Sequence, residues 1–122
     1  MTAAVVLVVE DEVGLTELTA DLLRDAGFDV SVAANGKLGL ASLAARRADL
    51  VIVDLNMPVM SGLEMIRHLR ADPSLANIPT ILVTAAPESI PTGADALHDV
   101  ALVKPFTLAE LLHTMNRLLG RA

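Results

Sequence analysis

The stretch Leu50-Val51-Ile52-Val53-Asp54-Leu55-Asn56-Met57-Pro58 decides the fold. Four consecutive aliphatic residues, two of them valine, are too short for an independent helix and read as a strand buried on both faces, the pattern of a parallel sheet. A carboxylate ends the run. In an open α/β sheet ligands bind along the rim formed by the carboxyl ends of the strands, so Asp54 is expected at the mouth of a site rather than in the core. Pro58 blocks continuation, and Ser61-Gly62-Leu63-Glu64 supplies a Ser-x-x-Glu capping box that starts a helix. The local unit is strand, carboxylate, loop, helix.

Working outward, the same unit recurs. Val5 to Val9 is a second aliphatic run of strand length and ends in Glu10, Asp11 and Glu12; Leu15, Leu18, Leu22 and Leu23 follow at helical spacing, with Gly27 placed as a C-terminal cap. Phe28 to Val32 alternates apolar and polar residues, as a less buried strand does. Asn35-Gly36 reads as a turn before a weakly specified helix carrying Leu40 and Leu43 and ending near Arg46-Arg47. The helix capped by Ser61 places Leu63, Ile66 and Leu69 on one stripe, and Asp72-Pro73 and Asn77-Ile78-Pro79 bracket a loop. Thr80 to Val83 is a fourth strand ending at Thr84. Between Pro87 and Asp99 the prolines and Gly93 limit any helix to about two turns beginning near Pro91. Val100 to Val103 is a fifth strand ending in Lys104-Pro105-Phe106, and Thr107-Leu108-Ala109-Glu110 caps a last helix of strong periodicity. Strands beginning near residues 5, 28, 50, 80 and 100, separated by helical segments, predict a parallel sheet with helices on both faces and right-handed crossovers.

The totals narrow the function. The 122 residues, 53% of them hydrophobic, form one domain over 1–122 able to bury roughly two-thirds of its unfolded surface. A net charge of -6 and an aromatic content limited to two Phe argue against nucleic acid as a direct partner, since phosphate contacts need clustered Lys and Arg and bases need stacking platforms. The absence of cysteine removes disulfides, thiolate metal sites and cysteine nucleophiles, which fits a cytoplasmic protein. The first apolar run ends at Glu10-Asp11 with no basic segment before it, so neither a signal peptide nor a membrane span is expected.

Four of the five strands end in a residue with chemical capability: Glu10 and Asp11, Asp54, Thr84, and Lys104. Parallel strands put all of these on one edge. Three converging carboxylates repel one another by a few kcal/mol per close pair at an effective dielectric of about 20. A hard divalent cation removes that repulsion, and oxygen ligation with few protein ligands suits magnesium. Asp54 is then a carboxylate nucleophile for an electrophile that also binds the metal, which points to a phosphoryl group. Lys104 and Thr84 are placed to hold the remaining phosphoryl oxygens, and Ala85 keeps the approach open. Singly, each has a plainer reading: acids as N-terminal charges of a helix, Asp54 as a turn residue, Thr84 as a strand-end hydroxyl, Lys104 as a solvated cation. Their joint occurrence at successive strand ends favours a site. His68, His98 and His113 lack metal-ligand spacing and read as helix or loop-surface residues.

Val8-Val9-Glu10-Asp11-Glu12, Val53-Asp54-Leu55-Asn56-Met57-Pro58, Ser61-Gly62, Val83-Thr84-Ala85 and Lys104-Pro105-Phe106 together resemble the receiver domain of two-component response regulators, over the whole chain. The resemblance implies a flavodoxin-like, doubly wound five-stranded sheet of order 2-1-3-4-5, an order illustrated in general accounts by a member of this family. It implies phosphorylation of Asp54 by a sensor histidine kinase or a histidine phosphotransfer protein. It further implies Asp11 and Asp54 as direct magnesium ligands, Asn56 as a ligand through its backbone carbonyl, Glu10 acting through water, and Thr84, Ala85 and Lys104 around the phosphoryl group.

Two departures bear on output. Receivers usually carry Tyr or Phe three residues before the lysine, an inward-turning side chain that follows the threonine; here that position is Ala101. The interval from Thr84 to Lys104 is slightly short and holds Pro87 and Pro91 where the family's fourth helix runs. The expected signal route therefore involves Thr84, Ala101, Pro87 and Pro91. The leading expectation is a stand-alone receiver that signals through a downstream protein partner and is not an enzyme beyond accepting and losing its own phosphoryl group. The competing readings are a pseudo-receiver that only binds protein, and a magnesium-dependent aspartyl phosphatase. The latter generally needs a second acid two residues after the nucleophile, where this chain has Asn56.

Overall fold

The computed structural model describes residues 3–121 and runs β1 (Val5–Val9), α1 (Val13–Asp25), β2 (Asp29–Ala33), α2 (Gly36–Ala45), β3 (Leu50–Asp54), α3 (Gly62–Ala71), β4 (Thr80–Thr84), β5 (Val100–Val103) and α4 (Leu108–Leu118). The sheet is parallel throughout with strand order β2-β1-β3-β4-β5, so the flavodoxin-like doubly wound order expected from the resemblance holds. Strand alternation splits the core in two. Val6, Val8, Leu50, Ile52, Ile81 and Val83 pack under α1 and α4 with Leu23, Leu111 and Met115; Leu7, Val9, Val51, Val53 and Leu82 pack under α2 and α3 with Leu43, Met65, Ile66 and Leu69. Each fully buried Leu or Ile contributes about 1.5–3 kcal/mol of transfer free energy. Covered on both faces, β3 is buried along its whole length.

Local sequence explains the helix ends. Ser61 and Thr107 each form a complete capping box, with Glu64 and Glu110 reaching back to the cap. Gly27, at φ 99, closes α1 with the Phe28 N–H on the Leu23 carbonyl and its own N–H on the Arg24 carbonyl, the paired bonds of a Schellman ending. Asn35-Gly36 is not a free turn as expected: Asn35 is the N-cap of α2, its side chain accepting from the Leu38 N–H, and Gly36 is the first helical residue.

The larger correction lies between β4 and β5. No α-helix forms there, not even the short one expected from Pro91; the connection holds two single-turn 3-10 helices, Pro87–Ser89 and Gly93–Asp95. Proline removes donors and Gly93 sits at φ 62, so neither turn propagates. One face of β5 consequently has no helix over it, and Val103 is 40% exposed. Among the described residues no helix is long and apolar enough to cross a membrane.

Candidate functional site

Residues Val9 and Val53 are paired in adjacent strands, so the residues that follow them, Glu10 just past β1 and Asp54 as the last residue of β3, stand side by side at the sheet's carboxyl edge. Both are nearly buried, and Asp11 is exposed beside them. Carboxylate oxygens of Glu10, Asp11 and Asp54 all lie within 4.8 Å of one another. Lys104 reaches in from the end of β5, past β4, and its Nζ donates to Asp54 Oδ2 at 3.1 Å and to Glu10 Oε2 at 3.5 Å. The pocket thus holds three acids and one cation.

The protonation of these groups follows from that crowding. Burial, then the hydrogen bond and negative charge of Asp54, push the Glu10 carboxyl up to about 7, against the smaller pull of Lys104. For Lys104 burial acts downward, but the hydrogen bond and charge of Asp54 and the charge of Glu10 outweigh it, and the ammonium is held above its ordinary value. Glu10 is thereby the acid that takes up a proton most readily, which limits the repulsion. Three hard oxygen donors converging within 4.8 Å suit a small divalent cation, and the donor set fits magnesium.

Backbone contacts hold these side chains in place. The Asn56 N–H donates to Asp54 Oδ1 at 3.2 Å. The Glu10 N–H donates to the Ala33 carbonyl of β2 at 3.1 Å, and the Glu12 N–H donates to Glu10 Oε1 at 3.4 Å. Gly62 packs directly on the end of β3: a Cβ there would stand 2.3 Å from the Asp54 carbonyl oxygen, and its N–H donates to the Leu55 carbonyl. Only glycine allows α3 to start so close to Asp54.

The remaining expected residues are placed less uniformly. Thr84 is fully buried at the rim, yet its hydroxyl accepts from the Ala86 N–H at 3.0 Å and lies 3.4 Å from the Ala86 carbonyl, so it serves its own turn rather than facing the acids. Ala85 is exposed beside it. Ala101 is paired with Leu82, half-buried, on the face of β5 that has no helix; Pro87 is exposed in the first 3-10 turn and Pro91 half-buried between the two. His68 and His113 are exposed on helices as expected, whereas His98 is half-buried and its Nδ1 lacks a hydrogen-bond partner.

Besides the close approach of Gly62, two side chains escaped the sequence. Thr16, in a stretch that reads as an ordinary amphipathic helix, turns a buried hydroxyl to the Glu10 and Glu12 carbonyls. Arg70 donates to the carbonyls of Ala76, Ile78 and Leu97, to Thr80 Oγ1 and to Asp99 Oδ2, tying the approach to β5 onto the body. Neither carries a spacing signal, because the partners are distant in sequence or are backbone atoms.

An acid pocket on the rim of a 2-1-3-4-5 parallel sheet, faced by a lysine from the last strand, defines a class of phosphorelay signalling domain. The chain belongs to the response regulator receiver domain family, whose model matches residues 6–116. It is 34% identical over 118 residues, 95% of its length, to the DNA-binding response regulator MtrA of Mycobacterium tuberculosis, covering 50% of that protein. The chain thus spans about half the length of the curated relatives it matches. Among solved structures it is similar to the chemotaxis response regulator CheY4 of Vibrio cholerae, at 35% identity and TM-score 0.87, covering 96% of this chain and 99% of that one. It is also similar to the response regulator TrrA of Thermotoga maritima in complex with Mg(2+)-BeF, at 31% identity and TM-score 0.84, covering 97% and 99%.

Proposed function

We propose that this chain is a magnesium-dependent receiver that accepts a phosphoryl group on Asp54 from a histidine kinase or histidine phosphotransfer protein and signals by phosphorylation-dependent protein binding. The observation that carries the reading is the approach of Lys104 Nζ to Asp54 Oδ2 at 3.1 Å within a cluster of three carboxylates. A carboxylate oxygen of Asp54 attacks the phosphorus of the donor phosphohistidine, forming an acyl phosphate; the P–N bond breaks and the imidazole leaves with the electron pair, which a proton then takes up. Lys104 exchanges a carboxylate oxygen for a phosphoryl oxygen without moving far. Asp11, Asp54 and the Asn56 carbonyl would hold magnesium, with Glu10 acting through water, and the bound cation would supply positive charge where phosphoryl charge gathers. Thr84 and Ala85 complete the surround. The Thr84 hydroxyl has to leave Ala86 to reach the phosphoryl group. The chain turns over no external substrate beyond losing its own phosphoryl group, and it works in the cytoplasm, where its donors present their histidines.

A face for the donor adjoins this pocket. On α1, Leu15, Leu18 and Leu22 are 40%, 57% and 38% exposed, and with Phe106 and Leu108 they line a cleft of about 360 Å³ that opens onto Asp54 and Lys104. An amphipathic helix carrying a phosphohistidine fits that chemistry. DNA binding is a property of MtrA and is not carried over.

Incubation with acetyl phosphate and magnesium, followed by intact-protein mass spectrometry, tests the assignment. Wild type gains one phosphoryl mass and Asp54→Asn gains none, because an amide is not a nucleophile here. Equal labelling of the variant removes Asp54 from its role. Absence of labelling in wild type, with protein binding retained, would favour the interaction-module reading, to which Ala101 and the bonding of Thr84 to its own turn lend their weight.

A further inference from the structure

The three acids do not hold themselves in place equally. Asp54 is gripped by the Asn56 N–H and Lys104, and Glu10 by Lys104 and the Glu12 N–H. Asp11 is exposed, and among the described residues its carboxylate has no hydrogen-bond partner. What aims it is the backbone of the loop from β1 to α1. Among the described residues that loop has one side-chain fastening from the helix: the Thr16 hydroxyl, on a residue 4% exposed, donates to the Glu10 carbonyl at 3.2 Å and the Glu12 carbonyl at 3.0 Å, one hydrogen shared between the two.

The bond to Glu12 is the ordinary backward contact of a helical threonine. The bond to Glu10 is different. It spans six residues and fixes the peptide that joins Glu10 to Asp11. With the Glu10 N–H tied to the Ala33 carbonyl in the peptide before it and the Glu10 carbonyl held by Thr16, the Glu10–Asp11 peptide is restrained against the rotation that would swing the Asp11 carboxylate out of the cluster.

We infer that Thr16 is a positioning residue for the cation site: its hydroxyl fixes the Glu10–Asp11 peptide and so presets the Asp11 carboxylate for magnesium. The inference rests on the magnesium reading of the pocket. Valine has the shape of threonine without the hydroxyl, so Thr16→Val leaves the Glu10 carbonyl buried and unpaired, free to turn toward water. Outer partners that orient metal ligands typically change affinity by about 10–100-fold when removed; because Thr16 acts on one ligand through backbone, the lower end, roughly tenfold, is expected.

The test is titration with magnesium chloride, by calorimetry and by the gain in melting temperature between metal-free and metal-saturated protein. Thr16→Val should weaken magnesium binding about tenfold and Thr16→Ser should restore it. Thr114→Val is the control, since Thr114 is a buried threonine on α4 whose hydroxyl donates to the Glu110 carbonyl at 2.9 Å, away from the acids. It should lower the melting temperature and leave the magnesium gain unchanged. If Thr16→Val does not fold, Thr16→Ala carries the same expectation. Wild-type affinity in the folded Thr16 variant, or a serine variant no better than valine, overturns the inference alone. Failure of wild type to bind magnesium overturns the metal reading and this inference with it.

Discussion

Strands β3 and β5 are both short aliphatic runs, and in sequence they differ little; in the fold they are opposites. Every residue of β3 is buried, and none of β5 is. The cause lies in the connecting segments rather than in the strands themselves. Capped helices α2 and α3 cover one face of β1 and β3, whereas Pro87, Pro91 and Gly93 deny such a helix to β5. The acid pocket is therefore built on the half of the sheet with two packed faces. The segment expected to carry the signal lies on the half with one. That segment is held at its ends, by the Ala86 N–H on Thr84 and by Arg70 on Leu97 and Asp99, with few regular hydrogen bonds between, which makes it the low-stability part of the domain.

A matched pair of glycine substitutions tests this contrast with the largest effect. In Gly62→Ala the new Cβ meets the Asp54 carbonyl oxygen at 2.3 Å, a backbone atom that cannot swing aside, and α3 has to shift off β3. A loss of about 3 kcal/mol or more is expected in urea unfolding, with phosphorylation of Asp54 impaired. In Gly93→Ala nothing stands within 4 Å, and only the φ of 62 is unfavourable, so about 1 kcal/mol is expected. Equal losses would mean that the two halves are equally packed and would dissolve the comparison.

The legibility of the fold from sequence follows the same division. The strand starts, both capping boxes and the convergence of Glu10, Asp11, Asp54 and Lys104 could be read because each rests on local pattern or on strand polarity, which parallel pairing converts into position. The β4 to β5 connection could be read only as irregular; proline and glycine announce what is excluded, not which turns result. Asn35 reads wrongly as a turn because Asn-Gly serves equally as a turn and as a cap with the first helical residue, and local chemistry does not separate them. Thr16, Arg70 and the close approach of Gly62 were invisible as partners, since their roles depend on backbone atoms brought near by the fold.

Acidity offers a second test, of intermediate size, on the well-packed half. The Glu10 carboxyl, pushed up to about 7 by burial and by Asp54, binds a proton in the metal-free fold that it releases on unfolding. Such a group favours the fold below its ordinary value of 4.5, and that favour is lost as the pH rises through about 7. The half-buried His98 acts oppositely: burial lowers its pKa, so its contribution is present above 6.5 and is lost on acidification. The measurement is therefore a difference, the melting temperature of metal-free wild type minus that of Glu10→Gln across this range. It should fall by several degrees as the pH rises, and saturating magnesium should flatten it, since the cation replaces the proton. A difference that is flat without metal would mean that burial and Asp54 do not raise the Glu10 carboxyl as described.

The smallest expected effect lies on the other half and concerns how the signal leaves. An inward-turning aromatic has rotamers to switch, but the Ala101 methyl has none, so contact between a phosphoryl group and Thr84 must bias another element. Geometry supplies the link: the Thr84 hydroxyl accepts from the Ala86 N–H at 3.0 Å, and turning toward the phosphoryl oxygens leaves that N–H without its acceptor at the head of the loose segment. The 3-10 turn at Pro87–Ser89 then has to rearrange, while Arg70 keeps Leu97 and Asp99 where they are. A coupling of about 1 kcal/mol corresponds to roughly a fivefold change in amide exchange. Hydrogen exchange with and without beryllofluoride, a phosphoryl mimic, should show that change between Ala85 and His98, with α3 unaltered. Unchanged exchange in this segment, with a response on another face, would place the output away from β5 and return the missing helix to a mere gap in the packing.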